Sequence, residues 1–368
     1  MELRIERREL LEAVTWAARA LPARSPVPLL GGLLLEAEGD RLRLSGQDYE
    51  ASACAEAEAR TRRPGRALVM GRRLLDVCKV LPDGPVDCAV EDAARLTLNG
   101  GGARFGLSLL PPEEYPAPPA LPEARGRVDA ETFAAAVGQV SPAAGRDDTL
   151  PALTGIHLTL TGETMTLAAT DRYRYALRTI PWQPQAPADT PTEALVPSRH
   201  LTEISRALST RPGEVSLALD SHTLGLSSAA RHTTTRLLEG RLPRPDKLFA
   251  LDGTHATATV DRAALTEAVK RVAVVAERDS PVELAFTGGT VRLQAGYEND
   301  LASQHVPSTL EGAESLTVGF NPAYLLDALT TFTAPTVRLH LQGPGQRALL
   351  TTDSTHRHLL MSMRPALL

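Results

Sequence analysis

Apolar and polar residues alternate through LGGLLLEAEGDRLRLSGQDYE (residues 30–50), and the alternation reverses at a Gly-Asp pair. That pattern predicts a β-hairpin with one buried face. It returns around Gly-Glu in LTGIHLTLTGETMTLAATDRY (153–173) and, more loosely, around Gly-Gly in VELAFTGGTVRLQAGYEND (282–300). The first two copies stand at a constant offset of 123, which places Val14 on Val137, Pro28 on Pro151, Leu30 on Leu153, Gly32 on Gly155, Leu44 on Leu167 and Asp48 on Asp171. Upstream of each hairpin, in LLEAVTWAARAL, VDAETFAAAVGQV and VDRAALTEAVKRVAVVA, apolar residues recur at every third or fourth position. That is helical spacing. A second helical segment comes after each hairpin: GRRLLDVCKVL (71–81), SRHLTEISRAL (198–208) and NPAYLLDALTTF (321–332) keep Leu74, Leu201 and Leu325 in step.

Each repeat thus spans about 120 residues, with two helices and several antiparallel strands, far longer than a solenoid unit. Pro-rich stretches at 111–126 and 241–255 mark the boundaries and give three domains, 1–123, 127–248 and 253–368. The expected fold class is α+β, three tandem domains with helices gathered on one face of antiparallel sheets.

Composition narrows the function. Of 368 residues 43% are hydrophobic, 23% charged and only 4% aromatic, so the cores are aliphatic. No apolar run approaches the ~20 residues of a membrane span, and MELRIERREL has the wrong charge pattern for a signal peptide. The three cysteines Cys54, Cys78 and Cys88 form no CxxC and are odd in number, which argues against a disulfide framework and for a cytoplasmic protein. Arginine outnumbers lysine 36 to 3, the imprint of a GC-rich genome. The net charge of −5 excludes a binder that relies on an overall cationic excess. It leaves a locally basic surface open.

Such a surface has candidates. Arg72 and Lys79 lie seven residues apart on one face of the second helix, opposite Leu74, Cys78 and Leu81, and Arg199 and Arg206 repeat them at an offset of 127. The third copy has Ala323 and Thr330 there, but its first helix carries Lys270 and Arg271. Two readings stand: a solvated helix face, or helices turned toward a polyanion whose phosphates they touch without reading bases. Catalytic patterns are missing from the sequence: no Walker loop, GxGxxG, HExxH or GxSxG occurs. A hydrolase or transferase would need a nucleophile–base or metal constellation that the sequence does not offer. His356 and His358 alternate on a predicted strand without a carboxylate or cysteine cluster, and Asp147 and Asp148 beside Arg146 read as a solvated turn. Asp171 and Asp48 read as turn formers at strand ends. No cofactor or metal is expected.

The chain resembles the bacterial DNA polymerase III β subunit family, the sliding clamps, over nearly its whole length. The resemblance rests on ARSPVPLLGGLLLEA (23–37), RFGLSLLPPEEYPAPP (104–119), LPALTGIHLTL (150–160), ATDRYRYALR (169–178), LVPSRHLTEISRAL (195–208), LLEGRLPRP (237–245), VGFNPAYLLDAL (318–329) and HLLMSMR (358–364). It implies a non-catalytic processivity factor: a head-to-tail homodimer of six clamp domains, closed as a ring with helices lining the hole. Double-stranded DNA would be held independently of sequence, and a net-acidic protein with basic inner helices suits that task. The resemblance places Arg24, inside the first-domain motif, among the DNA-contacting cations, and the reading of helix faces adds Arg72, Lys79, Arg146, Arg199, Arg206, Lys270 and Arg271. Implied closing contacts set Phe105 and Leu107 of one chain against Ala273 and Val274 of the other. The implied peptide pocket, between the second and third domains, takes Leu153, Thr170, Arg172, Tyr173, Arg174, Tyr175, Pro243, Lys247, Leu248, Tyr324, Leu360, Met361, Met363 and Arg364. It would serve the DNA polymerase III α subunit, the clamp loader and other proteins bearing a clamp-binding motif, in a cytoplasmic, nucleoid-associated setting without a membrane.

Three departures crowd around that pocket. The terminal motif, usually Met-Pro-Met-Arg-Leu, reads Met361-Ser362-Met363-Arg364-Pro365, and Ser362 is expected to free a rim that proline would fix. Tyr175 replaces a usual aliphatic residue, and Arg244 and Pro245 replace the acidic and aromatic residues that usually come after the proline. These changes raise an alternative, a specialised second clamp with an altered pocket.

Overall fold

The computed structural model describes residues 1–368 except 23–26, 93, 188–189, 252, 254–255, 278–279, 298–299 and 365–368, together with the side chains of Lys247 and Tyr297. Each repeat opens with a strand that runs straight into a helix. The helices are α1 (Arg7–Ala17), α2 (Gly71–Val80), α3 (Ala130–Val140), α4 (Ser198–Leu208), α5 (Pro245–Phe249), α6 (Arg262–Val272) and α7 (Pro322–Thr331). Six of these fall on the six predicted segments. Their starts show why position matters: the Asp129 carboxylate accepts from Thr132 N and the Asp261 carboxylate from Ala264 N, whereas Glu6, one methylene longer at the matching site, makes no cap bond. The C-terminal ends of the first and third predicted runs tighten into 3-10 turns, Ala18–Ala20 and Ala273–Val275.

The hairpins stand where the alternation placed them. Leu35 faces Leu44, Leu158 faces Leu167 and Leu284 faces Leu293, each apolar partner buried beneath its helices. In the third repeat Leu265 and Val269 of α6 meet Leu325 and Leu329 of α7 above Phe320, Val337 and Leu339. Every fully buried aliphatic side chain of this kind contributes about 1.5–3 kcal/mol.

Packing divides the chain into two units, residues 1–128 with 213–237 and residues 129–212 with 238–368. The reason lies in how sheets pass from one repeat to the next. Within the first unit, Ala51–Glu58 of the first repeat pairs antiparallel with Arg231–Arg236 of the second, Ala51 opposite Thr235 and Ala53 opposite Thr233. The Ser52 and Thr234 hydroxyls meet at 2.6 Å, and Trp16 Nε1 donates to His232 O at 3.1 Å. Within the second unit, Arg174–Pro181 pairs with Arg357–Met361 of the third repeat, Arg174 opposite Leu360 and Ala176 opposite His358. Tandem repeats predicted from sequence are thus stitched by shared sheets.

Of the strand edges equivalent to those in the seams, two remain unpaired among the described residues. Residues 103–108 of Ala103–Leu110 pair only with Arg95–Gly100, because Leu109 and Leu110 alone reach the strand Gly65–Met70. Residues 300–307 of Asp300–Glu311 pair only with Thr290–Tyr297, because 308–311 alone reach Ala256–Asp261.

Candidate functional site

The strand Thr164–Thr170 turns into Arg174–Pro181 through a loop held by Asp171. One Asp171 oxygen accepts from Tyr173 N and Arg174 N, both at 3.1 Å, while the Thr170 hydroxyl donates to Arg174 O at 2.6 Å and accepts from Arg172 N at 3.2 Å. Arg172 adopts φ +83°, an unfavourable left-handed conformation that these bonds enforce. The first repeat builds the same turn: Asp48 accepts from Glu50 N and Ala51 N, and Tyr49 has φ +72°. Both aspartates are therefore the turn formers expected from sequence.

The two turns differ in the residue that opens the next strand. Ala51 in the first repeat becomes Arg174 in the second, a buried guanidinium with 5% of its side chain exposed. Its Nε donates to Asp171 Oδ2 at 2.8 Å, its Nη1 donates to Asp327 Oδ2 at 2.7 Å, and its carbon lies 4.4 Å from the centre of the Tyr324 ring. Helix α7 is aimed for this by Asn321, whose side chain accepts from Ala323 N and Tyr324 N. Tyr173 stacks on Tyr324 at 6.2 Å and 27°. Burial, foremost, raises the Tyr324 phenol above its ordinary pKa. Around this cluster opens a groove of about 690 Å³, walled by Gly145, Arg146, Asp147, Leu150 and Leu153 on one side and Ala323, Tyr324 and Asp327 on the other. Asp327, Gly145 and Leu150 were missed from sequence; the signal for Asp327 was available, since a buried arginine on an alternating strand demands a carboxylate.

The remaining pocket candidates divide. Tyr175, Leu248 and Pro243 lie on the other side of the strand, where Tyr175 is buried with Ala168, Leu349 and Leu359. Leu360 belongs to the core of the third repeat. Met361 is 41% exposed and its N–H donates to Tyr173 O at 2.8 Å, while Met363 N donates to Gly319 O at 2.7 Å. Arg364 is exposed and lies along Gly345. The Lys247 side chain and Pro365 fall outside the described residues.

Ser362 corrects an expectation. Its hydroxyl is buried, lies 2.7 Å from Gln346 O and 3.0 Å from Gly343 O, and accepts from Gln346 N at 3.0 Å, while its own N–H donates to Gln346 O at 2.8 Å. Serine therefore pins the rim rather than freeing it, because a small hydroxyl satisfies the turn that a proline would hold only by stiffness. Pro245 occupies the first position of α5, where its missing N–H costs nothing.

Three family models cover the chain: the DNA polymerase III beta subunit N-terminal domain over residues 1–120, the central domain over 127–244 and the C-terminal domain over 252–364. A beta sliding clamp of Streptomyces coelicolor is 45% identical over 99% of both chains. The chain belongs to the DNA polymerase III beta subunit family. A Streptomyces muensis protein named beta sliding clamp homolog GriR is 40% identical, again over 99% of each chain. The solved beta subunit of Pseudomonas aeruginosa superposes with a TM-score of 0.92 at 28% identity, covering 99% of this chain and 100% of that one. The protein is a DNA sliding clamp, a processivity factor with no chemistry of its own.

In the clamp, the cations expected to face DNA are placed unevenly. Arg199 and Arg206 are exposed on one face of α4, without an ion-pair partner among the described residues, while Leu201, Ile204 and Leu208 turn inward. Arg72 is exposed and donates to Pro22 O at 3.1 Å; Lys79 pairs with Asp76 at 3.4 Å and Lys270 with Glu267 at 2.9 Å. Arg271 reaches Gln304 at 3.4 Å. Arg146, expected in this set, lines the groove, and Arg24 falls outside the described residues. Of the closing contacts, Phe105 and Leu107 are half-buried on the open strand edge, Ala273 is half-buried, and Val274 is 82% exposed. His356 accepts or donates at Thr331 Oγ1, 2.8 Å from Nε2, with Nδ1 3.3 Å from Leu177 O, a packing role. No helix among the described residues is long and apolar enough to cross a membrane.

Proposed function

We propose that two copies of this clamp close head to tail by pairing the free edge at 103–108 with the partner's free edge at 300–307, and that the ring so formed slides on duplex DNA through the α2, α4 and α6 cations while tethering polymerases and other nucleoid-associated partners at the 170–175 site. One observation carries the closure. The repeats use the same two edges at both internal seams, and among the described residues the only unused pair is one of each kind. Repeat equivalence then sets the register. Ala51 matches Arg174 and, through the hairpins, Asp300; Thr235 matches Leu360 and Leu107. Asp300 therefore lies opposite the partner's Leu107, Ala302 opposite the partner's Phe105 and Ser303 opposite the partner's Arg104. A large ring faces a small methyl on the inward side, and exposed residues face each other outside.

Disulfide trapping tests this. The native thiols Cys54, Cys78 and Cys88 are buried and leave the assay clean. Oxidised Arg104→Cys/Ser303→Cys protein is expected to run at twice 39.3 kDa and to stay on circular plasmid but not on linear DNA. Arg104→Cys/Gln304→Cys, displaced by one residue to the opposite face, is expected not to cross-link. The reverse pattern refutes the register. The alternative of a specialised second clamp gains nothing from similarity alone, since the S. coelicolor clamp is closer than the GriR homolog.

A further inference from the structure

The side chains assigned to the peptide pocket fall on two faces of the seam between Arg174–Pro181 and Arg357–Met361, and only one face is open. On the open side lies the groove beside Arg174 and Tyr324. On the other, Tyr175 is 3% exposed, with Leu359 directly opposite and Ala168 and Leu349 beside it. Its hydroxyl donates to Pro243 O at 3.0 Å, and Phe249 meets its ring edge-on at 5.5 Å and 89°. Leu248, Phe249 and Leu251 cover the cluster, and Arg347 Nη1 holds Leu248 O at 2.8 Å. The 243–249 strap is shallowly seated, since Pro243, Arg244 and Asp246 are exposed. The chain just past the opposing strand is held in place, since Ser362 and Met363 are tied to 343–346 and to Gly319.

We propose that Tyr175, with the strap it anchors, is a specificity gate that fills the apolar half of the peptide site. A partner peptide then engages the open groove alone, and a bulky apolar side chain enters the other half only when the strap lifts and the tyrosine ring swings out. An aliphatic side chain at 175 lacks both the reach to Pro243 and the ring that Phe249 abuts, so the departure at this position creates the closure. The inference rests on the peptide-site reading above and deepens it.

The test uses a fluorescein-labelled clamp-binding-motif peptide of the same cell's polymerase III α subunit, with its bulky apolar side chains replaced by alanine one at a time. Binding is measured by anisotropy to the full-length wild type, to Tyr175→Leu, and to Tyr175→Phe, which keeps the ring and removes only the hydroxyl anchor. With wild type, at least one bulky side chain is expected to change Kd less than twofold. In Tyr175→Leu the same side chain is expected to become worth tenfold or more, with tighter binding of the intact peptide, and Tyr175→Phe is expected to lie between. If every bulky side chain already matters tenfold to wild type, and neither variant alters the pattern, the gate is refuted while the peptide site stands. If no protein binds the intact peptide, the peptide-site reading fails and the gate with it.

Discussion

Lowering the pH from 7 to 5 is expected to loosen the seam between the second and third repeats through two buried histidines. His356 and His358 are fully buried beside Phe332, and their rings lie 6.2 Å apart. Burial first, then the Arg178 charge, lowers the His356 pKa from 6.5 to about 4, with the hydrogen bond to Leu177 O opposing. Burial likewise drives His358 well below 6.5, assisted by His356 and Arg174. Among the described residues neither ring nitrogen of His358 has a hydrogen-bond partner. Both groups are neutral in the folded protein and take up protons near pH 6.5 when unfolded. Their stabilising contribution is therefore intact above pH 6.5 and is lost as pH falls toward 4. At pH 5 linkage gives about 2 kcal/mol for His356, against total stabilities of order 5–15 kcal/mol, and His358 acts in the same direction. The readout is hydrogen exchange in Arg357–Met361, corrected for the intrinsic rate. Protection is expected to fall about thirtyfold in His358→Leu, through His356 alone, and further than that in wild type. His157 and His340, also lowered chiefly by burial, act on both proteins alike. Equal losses in the two proteins would refute the reasoning.

Replacing Arg174 by leucine leaves the Asp171 and Asp327 carboxylates without their cation, a loss of about 3 kcal/mol. Melting is expected to fall by several degrees and binding of the α-subunit peptide to weaken at least tenfold; wild-type peptide affinity would remove its organising role. Arg199→Glu/Arg206→Glu is expected to flatten the log–log salt dependence of DNA binding by about one unit for each phosphate no longer neutralised, without releasing closed rings from circular plasmid. An unchanged slope would place these arginines away from DNA.

Helix positions, hairpins and the threefold repeat were legible because each rests on periodicity within one segment. Asp171 and Asp48 were legible because an Asx turn is a local device. The limit came where residues distant in sequence meet. Strand alternation marks Arg357–Met361 as a strand but not that it pairs with Arg174–Pro181, so the seam, the Asp327 partner of Arg174 and the closure of Tyr175 against Pro243 stayed hidden. Ser362 failed for a related reason: proline's stiffness is a property of one residue, whereas the serine's hold depends on a turn at 343–346.

The same geometry serves three ends because the residues lining one repeated position diverged. Position 52 is Ser52, position 175 Tyr175 and position 301 Leu301 in the three copies. Ser52 meets Thr234 through buried hydroxyls, a small and fully satisfied contact suited to a permanent seam. Tyr175 carries a hydroxyl that reaches Pro243 of its own repeat and a ring that lies opposite Leu359 of the next, beside a groove organised by Arg174. Leu301 stands 64% exposed at an edge with free N–H and C=O groups, on the same repeat as the 82% exposed Val274. An apolar, unpaired edge is an aggregation hazard unless something covers it. The only complementary edge the described chain leaves unused is 103–108, which cannot be spent on its own copy's seams because those are already filled by 231–236 and 357–361. The closure proposed above would therefore obey the same strand logic that joins the repeats, and would set Leu301 opposite the partner's Gly106, the one residue there without a side chain to oppose it.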